Sequence, residues 1–317
     1  MARHRVRNAA IAAAALGSSG VAARSARLLW RRRSLNWAQP ERYVQDAYLS
    51  CQTMGAGDQP VLLLHSVDGS ANYFGAAFDE LADPGPLLVP DLLGFGRSPA
   101  SDDGYSPDEH VAALVRMLDL LKVTTPLLVV GHGLGAVLAL RMASEQPERV
   151  AAVVALGAPI YRDSASARTH LRTKLAAGRV GRGLSRAVPG RLPMGARLPR
   201  LVAGSVHLDL PLPVAGAKAA ARTATASEET IRACLLESNA AEWFTRISCP
   251  VELVIPAHDA TVDAGLLREL SDKHSNVAVT LLPFGDERLP LTHPDGCLAA
   301  IDRFRVARLP KVPTLPG

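Results

Sequence analysis

The 317-residue sequence has few cysteines, and they follow no recognisable pattern. Cys51, Cys234, Cys249 and Cys297 form no CxxC pair and have no metal-type spacing with histidines. This argues against a disulfide-built domain or a zinc site and predicts buried free thiols. A disordered chain is equally disfavoured, because 48% of the residues are hydrophobic and 21% are charged, enough for one large domain with a sizeable core. Neither a metal nor a cofactor is expected.

Residues 1–40 lack acidic side chains altogether. They hold eight arginines, whereas the rest of the chain has 27 basic and 30 acidic residues, so the basic charge belongs to this arm. Nucleic-acid binding by the whole protein is therefore not expected. The apolar stretch 8–23 is too short for a convincing membrane span. Three interpretations stay open: a disordered or loosely helical arm, a peripheral membrane contact through "RLLWRRRSLNW", or a cleaved signal. The expected location is cytoplasmic, with or without membrane association, and the alternative is export.

Short apolar runs alternate with helical patterns over most of the remaining chain. Six runs without polar alternation predict strands covered on both faces, at 60–66, 86–92, 126–132, 150–159, 251–257 and 277–283. Residues 107–122 predict a helix that opens with Pro107 behind the N-cap Ser106. This alternation is typical of an α/β fold with a mostly parallel sheet.

The alternation breaks between residues 160 and 246, where Gly and Pro are scattered and no strand is predicted. We interpret this stretch as a helical lid inserted between two core segments, 41–159 and 247–308, with 309–317 as a tail. Between 160 and 220, only Asp163 and Asp209 oppose eleven basic residues. These charges fit either a solvated face or a basic lid that attracts an anionic ligand or a membrane.

Four motifs follow the predicted strands in a specific order: "HSVDGS" (65–70), "PDLLGFGRS" (90–98), "GHGLGA" (131–136) and "IPAHD" (255–259). Together they resemble the lidded branch of the α/β-hydrolase fold family over residues 45–306. The resemblance implies a nucleophile elbow at 131–135, where Gly131, Gly135 and Ala136 allow a strained tip and close helix packing. It also implies an oxyanion hole formed by the N–H of Leu134 and by the backbone just after His65, at Ser66 or Val67. The family usually has Gly at the position of Ser66.

The catalytic positions of the family are altered in this sequence. Gly133 stands where the resemblance places the nucleophile, and Glu287 stands where it places the histidine. Asp259 matches the carboxylate of the triad, with Pro256 in place of a usual glycine. His293, six residues beyond Glu287, is expected at the entry of the last helix rather than in the site. If Glu287 and Asp259 share one space, they form either a general acid–base pair or a solvated remnant.

Three functions stay open on these residues. The first is a non-hydrolytic pseudoenzyme that binds a small apolar or anionic ligand, or a partner, under the lid. The second is a lyase, cyclase or isomerase that uses Asp259, Glu287 or Asp68 as acid and base. The third is a hydrolase of ester-type substrates in which His293 and Ser66 or Ser70 form a rearranged site.

Overall fold

A single mixed sheet organises the chain in the computed structural model, which describes residues 42–44, 48–67, 69–83, 85–171 and 224–308. Within this described part, eight strands lie in the order β1-β2-β4-β3-β5-β6-β7-β8. They are β1 (Arg42–Val44), β2 (Cys51–Met54), β3 (Val61–Leu64), β4 (Leu87–Pro90), β5 (Leu127–His132), β6 (Val150–Leu156), β7 (Val251–Pro256) and β8 (Val277–Leu282). The pairings from β4 to β8 are parallel, whereas β1 pairs with β2 and β2 with β4 in antiparallel fashion.

Helices connect these strands and cover both faces of the sheet. The α-helices are α1 (Pro107–Leu120), α2 (Leu134–Glu145), α3 (Ser164–His170), α4 (Ala224–Thr230), α5 (Ala240–Trp243), α6 (Ala264–Lys273), α7 (Leu289–Thr292) and α8 (Pro294–Arg308). Two 3₁₀ helices, Ala71–Tyr73 and Ala76–Ala82, follow β3, and a π-helical turn, Ile231–Leu236, continues α4.

The sheet separates two hydrophobic cores. In β3, Leu62 and Leu64 pack into one core with α1 and α2, while Val61 and Leu63 pack into the other with the 3₁₀ helices and α8. All four side chains are buried, so the strand carries apolar residues on both faces. This is the reason that the strands show no polar alternation in the sequence.

The predicted α/β fold class is confirmed, and each of the six predicted strands is present. The predicted strand 150–159 ends earlier, at Leu156, because Gly157 turns the chain with φ +56°. Helix α1 begins as predicted: Ser106 accepts a hydrogen bond from the Glu109 N–H, and Glu109 bonds back to the Ser106 backbone. The antiparallel strands β1 and β2 were not predicted, since their short polar stretches carry little periodicity.

Several predicted segments fall wholly or partly outside the described residues. They are the arm 1–40, most of the lid at 172–223, Asp68 and the tail 309–317. The lid and arm therefore stay predictions. Among the helices of the described residues, none is both long and apolar enough to cross a membrane.

Candidate functional site

The tip of the sharp turn between β5 and α2 is Gly133. Its φ of +56° and ψ of −115° are unfavourable for any residue with a side chain. Gly133 is the N-cap of α2, so the Leu134 N–H is the first donor of that helix and has no acceptor within it. The turn therefore presents a backbone N–H and the positive end of a helix dipole beside a position with no side chain.

Two further glycines allow this turn to pack closely against its neighbours. A Cβ atom on Gly131 would lie 2.2 Å from the carbonyl oxygen of Gly135, and one on Gly135 would lie 2.1 Å from that of Leu64. Both are backbone contacts that no rotamer change relieves. The strand, the turn and the helix can therefore approach each other only because both residues are glycine.

The space that a side chain at Gly133 would need is occupied by Ser66. A Cβ atom built on Gly133 would lie 2.4 Å from the Ser66 hydroxyl oxygen and 3.1 Å from the Ser66 Cβ. The resemblance drawn from the sequence motifs implies a glycine at position 66 and the nucleophile at position 133, whereas this chain has Ser66 and Gly133. A hydroxyl group is thus present near the elbow, but it comes from the loop after β3.

A cleft of about 310 Å³, part of it open to solvent, lies beside this pair. Its walls come from the segments that follow β3, β5, β6, β7 and β8 and from the described ends of the predicted lid, at Leu171 and Leu235. The lining residues are Ser66, Val67, His132, Gly133, Leu134, Gly157, Pro159, Leu171, Leu235, Asp259, Thr261 and Glu287. The structure therefore brings six predicted site residues into one cleft, whereas His65, Ser70 and His293 are not among its lining residues. The six are Ser66, Val67, Gly133, Leu134, Asp259 and Glu287.

Asp259 is held on the floor of the cleft by Thr261. Its Oδ1 accepts hydrogen bonds from the Thr261 N–H at 2.9 Å and from the Thr261 hydroxyl at 2.6 Å. The other oxygen, Oδ2, lies 3.0 Å from where a Cβ on Gly157 would be, and the His132 Nε2 lies 3.8 Å from the same point. Gly157 therefore leaves room for a carboxylate and an imidazole in one corner of the cleft.

Glu287 and His293 have different surroundings, although both follow β8. Glu287 lies in the turn before α7, where it is exposed and lines the mouth of the cleft. His293 stacks on Phe284 with ring centroids 4.8 Å apart, and its Nδ1 lies 2.9 Å from the Thr292 hydroxyl. His293 is not a lining residue and directly precedes α8, so it lies at the helix entry.

His65 was predicted as part of the oxyanion site, but it lies behind the cleft as a fully buried scaffold residue. Its Nε2 accepts from the Leu92 N–H at 3.0 Å, so Nδ1 carries the proton and donates to the Ser66 carbonyl at 2.8 Å. Burial lowers the pKa of His65. The imidazole thus ties the loop after β3, which carries Ser66, to the loop after β4.

The loop after β4 is itself organised by Asp91. Its carboxylate accepts from the Ala71 N–H at 2.7 Å and from the Arg97 N–H at 2.9 Å. A Cβ on Gly96, where φ is +54°, would collide with this carboxylate at 2.2 Å. The motif "PDLLGFGRS" therefore supports the site without lining the cleft.

His132 is the cleft residue that sequence reasoning overlooked. It ends β5, is buried, and stacks on Tyr73 at a centroid distance of 5.3 Å. Its position at the carboxyl end of a central parallel strand could have identified it, because ligand sites in open α/β sheets gather at that edge.

The strand order, the turn at Gly133 and the cleft at the carboxyl ends of the strands together define the α/β-hydrolase fold. A sequence model described as "alpha/beta hydrolase fold" matches residues 59–181. The solved structure of E-2-(acetamidomethylene)succinate hydrolase aligns with a TM-score of 0.65 at 20% identity, covering 82% of this chain and 95% of that one. An esterase from Thermogutta terrifontis aligns with a TM-score of 0.61 at 20% identity, covering 84% and 98%.

Several curated relatives align with about a third of this chain, and one aligns with most of it. Lipase LipV of Mycobacterium tuberculosis is 33% identical over 121 residues, which are 38% of this chain and 45% of the lipase. A haloalkane dehalogenase of Mesorhizobium japonicum is 33% identical over 107 residues, 34% of each chain. These alignments span less than half the length of either relative. The 2-(acetamidomethylene)succinate hydrolase of the same organism is 25% identical over 255 residues, covering 78% of this chain and 88% of the enzyme.

Proposed function

We propose that this protein is a non-hydrolytic member of the α/β-hydrolase fold that binds a small molecule in the cleft beside Gly133. The observation that carries the proposal lies at the elbow: Gly133 has no attacking atom, and the Ser66 hydroxyl oxygen lies 2.4 Å from where a Cβ atom on Gly133 would be. Loss of a nucleophile or its base typically costs about 10⁶-fold in turnover. The oxyanion donors and binding alone leave only about 10³–10⁴-fold over water.

The base position supports the same proposal. Glu287, which replaces the family's histidine, lines the mouth of the cleft and is exposed, while His293 lies outside the cleft at the entry of α8. Neither half of the usual Ser–His pair is therefore in its usual place. Lipase and hydrolase are names of relatives of this chain. Ester substrates are therefore the appropriate compounds with which to test whether this protein hydrolyses anything.

A second candidate function is an acid–base enzyme of the lyase, cyclase or isomerase type. The specific observation in its favour is the corner over Gly157, where Asp259 Oδ2 and His132 Nε2 lie close to the same point. A carboxylate and an imidazole in one cleft can remove and return a proton without a covalent intermediate. Glu287 at the mouth adds a second carboxylate.

The proposal is tested with a fluorophosphonate probe and intact-protein mass spectrometry. We expect the wild-type protein to remain unlabelled and to leave p-nitrophenyl esters uncleaved. Labelling of Ser66 would overturn the proposal in favour of a rearranged hydrolase, because the probe reacts with an activated serine. Proton exchange at the α-carbon of a bound ligand, followed in heavy water, would favour the acid–base enzyme instead.

A rescue experiment tests whether the rest of the site can support hydrolysis. In Gly133→Ser/Ser66→Gly/Glu287→His, the change at position 66 removes the Ser66 hydroxyl, which would otherwise lie 2.4 Å from the new Cβ. We expect esterase activity at least about 10²-fold above background, a small part of the ~10⁶-fold that a complete pair supplies. The double variant Ser66→Gly/Glu287→His is the matched control and should stay inactive. Equal activity in the two variants would contradict the assignment of Gly133 to the nucleophile position.

A further inference from the structure

We propose that the Ser66 hydroxyl is a third hydrogen-bond donor of the cleft and that the ligand is a neutral carbonyl compound with an apolar body. Its carbonyl oxygen would accept from this hydroxyl and from the backbone N–H groups of Leu134 and Val67. This inference rests on the proposed function, because a compound that is bound intact must not be hydrolysed. It adds the chemical class of the ligand and a role for Ser66 that the fold does not imply.

The backbone donors arise from the two loops that meet at the cleft. Leu134 is the first residue of the 12-residue helix α2, and the helix offers its N–H no acceptor. The helix dipole adds a partial positive charge at this point. Val67 follows Ser66 in the turn after β3, is 5% exposed and lines the same cleft.

Ser66 supplies the observation that points to a ligand. Its side chain is only 6% exposed, it lines the cleft, and no described residue makes a hydrogen bond to its hydroxyl. The hydroxyl oxygen is not among the described polar atoms that are buried without a hydrogen bond, so it is accessible from the cleft and can donate to an acceptor of a ligand. Because Leu134 directly follows Gly133, the hydroxyl beside the missing Cβ of Gly133 is a neighbour of the Leu134 N–H.

The charges and the walls of the cleft select a neutral ligand. Two carboxylates, Asp259 and Glu287, line the cleft, and none of the described lining residues is Lys or Arg. A carboxylate ligand would meet like charges at short range, whereas a neutral carbonyl gains the donors without that repulsion. Pro159, Leu171 and Leu235 offer an apolar surface for the remainder of the ligand. The expectation of an anionic ligand came from basic residues that lie mostly outside the described part of the chain, and the charged probe in the experiment below tests it against the neutral class.

The experiment uses four probes that share one apolar body: phenylacetamide, methyl phenylacetate, benzyl methyl ketone and phenylacetate. Binding to the full-length protein is measured by ligand-observed NMR and titration calorimetry. We expect the three neutral probes to bind at least about tenfold more tightly than phenylacetate. Equal or tighter binding of phenylacetate would overturn the ligand class, and so would failure of all three neutral probes to bind.

The role of Ser66 is tested with a matched pair of serine variants. Ser66→Ala should weaken binding of the neutral probes about five- to tenfold. Ser66→Gly, which places the family's usual glycine at position 66, is the second variant and should weaken binding similarly. Ser70→Ala is the control, since the Ser70 hydroxyl is buried without a hydrogen-bond partner and lies outside the lining residues. Without ligand, Ser66→Ala should melt close to the wild-type temperature, because the Ser66 hydroxyl makes no hydrogen bond to a described residue that the variant would lose. Unchanged affinity in both Ser66 variants would overturn the role of the hydroxyl.

The same samples separate this inference from the proposed function. Methyl phenylacetate should be recovered intact after incubation with the wild-type protein. Its conversion to phenylacetate and methanol would overturn the proposed function, whatever the effect of Ser66→Ala. Intact ester that binds equally well to wild type and to both Ser66 variants would overturn only the inference.

Discussion

Glycines shape the site at the scale of single residues, and they do so for two different reasons. Gly133 and Gly157 have positive φ values, both +56°, so their conformations are unfavourable for side-chain-bearing residues. Gly131 and Gly135 instead have no room for a Cβ atom, because backbone carbonyls lie 2.1–2.2 Å from that position. The elbow thus needs glycine at positions 131, 133 and 135, and the corner of the cleft beside Asp259 needs it at position 157.

Gly135→Ala is expected to destabilise the protein by about 2–4 kcal/mol. The new Cβ would collide with the Leu64 carbonyl, and relieving this collision would require α2 to move away from β3. Urea unfolding measures the loss. Gly265→Ala in α6 is the matched control, because the nearest atom to its Cβ is a side-chain oxygen at 3.4 Å. That variant should change stability by less than about 0.5 kcal/mol, and a comparable loss in both would contradict the steric argument.

Loops between elements, rather than the elements themselves, hold the cleft in position. His65 joins the loop after β3 to that after β4, and Asp91 joins the loop after β4 to the 3₁₀ helix Ala71–Tyr73. On the other side, the Tyr161 hydroxyl donates to the Thr261 carbonyl at 2.6 Å and so holds the segment that carries Asp259. These bonds link residues far apart in sequence, so the site forms only when the sheet has assembled.

The start of α1 allows a prediction for a single element. Ser106→Ala removes the side chain that caps the Glu109 N–H and should cost about 1 kcal/mol of unfolding free energy. Ser106→Asn keeps a capping oxygen and should retain most of the stability. Thermal and urea unfolding of both variants measure the difference. An equal loss for Ala and Asn would indicate that packing, rather than the cap, is affected.

At the scale of the whole molecule, two buried histidines link stability to pH. Burial lowers the pKa of His110 to about 3, and His65 adds to the effect. His110 contacts Thr230, Tyr105 and Phe95, and the pKa of His65 is also lowered by burial. Both imidazoles are therefore neutral in the folded protein near neutral pH, whereas in the unfolded chain they bind a proton near pH 6.5.

Stability should therefore fall as the pH drops below about 6.5 towards 3, because the unfolded state binds more protons in this range. Each histidine contributes a slope of up to about 1.4 kcal/mol per pH unit. Urea unfolding at a series of pH values measures this slope for the wild type, for His110→Gln and for His258→Gln. The His110 variant should show a shallower slope. The exposed His258 is the control, and a slope reduced equally in both variants would contradict the assignment.

Much of the core was predictable because its strands and helices are local patterns. The apolar runs at 60–66 and 126–132 predict buried strands from composition alone, and Ser106 with Pro107 predicts the start of α1. The strands β1 and β2 could not be found in this way, because Cys51–Met54 becomes a strand by pairing with β4 across the sheet. The order of the motifs located Asp259 and Glu287 in the sequence. The spacing of these residues along the chain could not predict that both line one cleft with His132.

The sequence by itself determined the α/β-hydrolase fold and the absence of a side chain at Gly133, because strand patterns and residue identities are properties of the chain. Only the tertiary structure decided which side chain lies beside Gly133 and which residues share the cleft. Ser66 and Gly133 are 67 positions apart, and only the parallel pairing of β3 with β5 brings them together. Contacts of this kind depend on the register between paired strands and on the exact positions of backbone atoms. A local sequence pattern does not determine either of these.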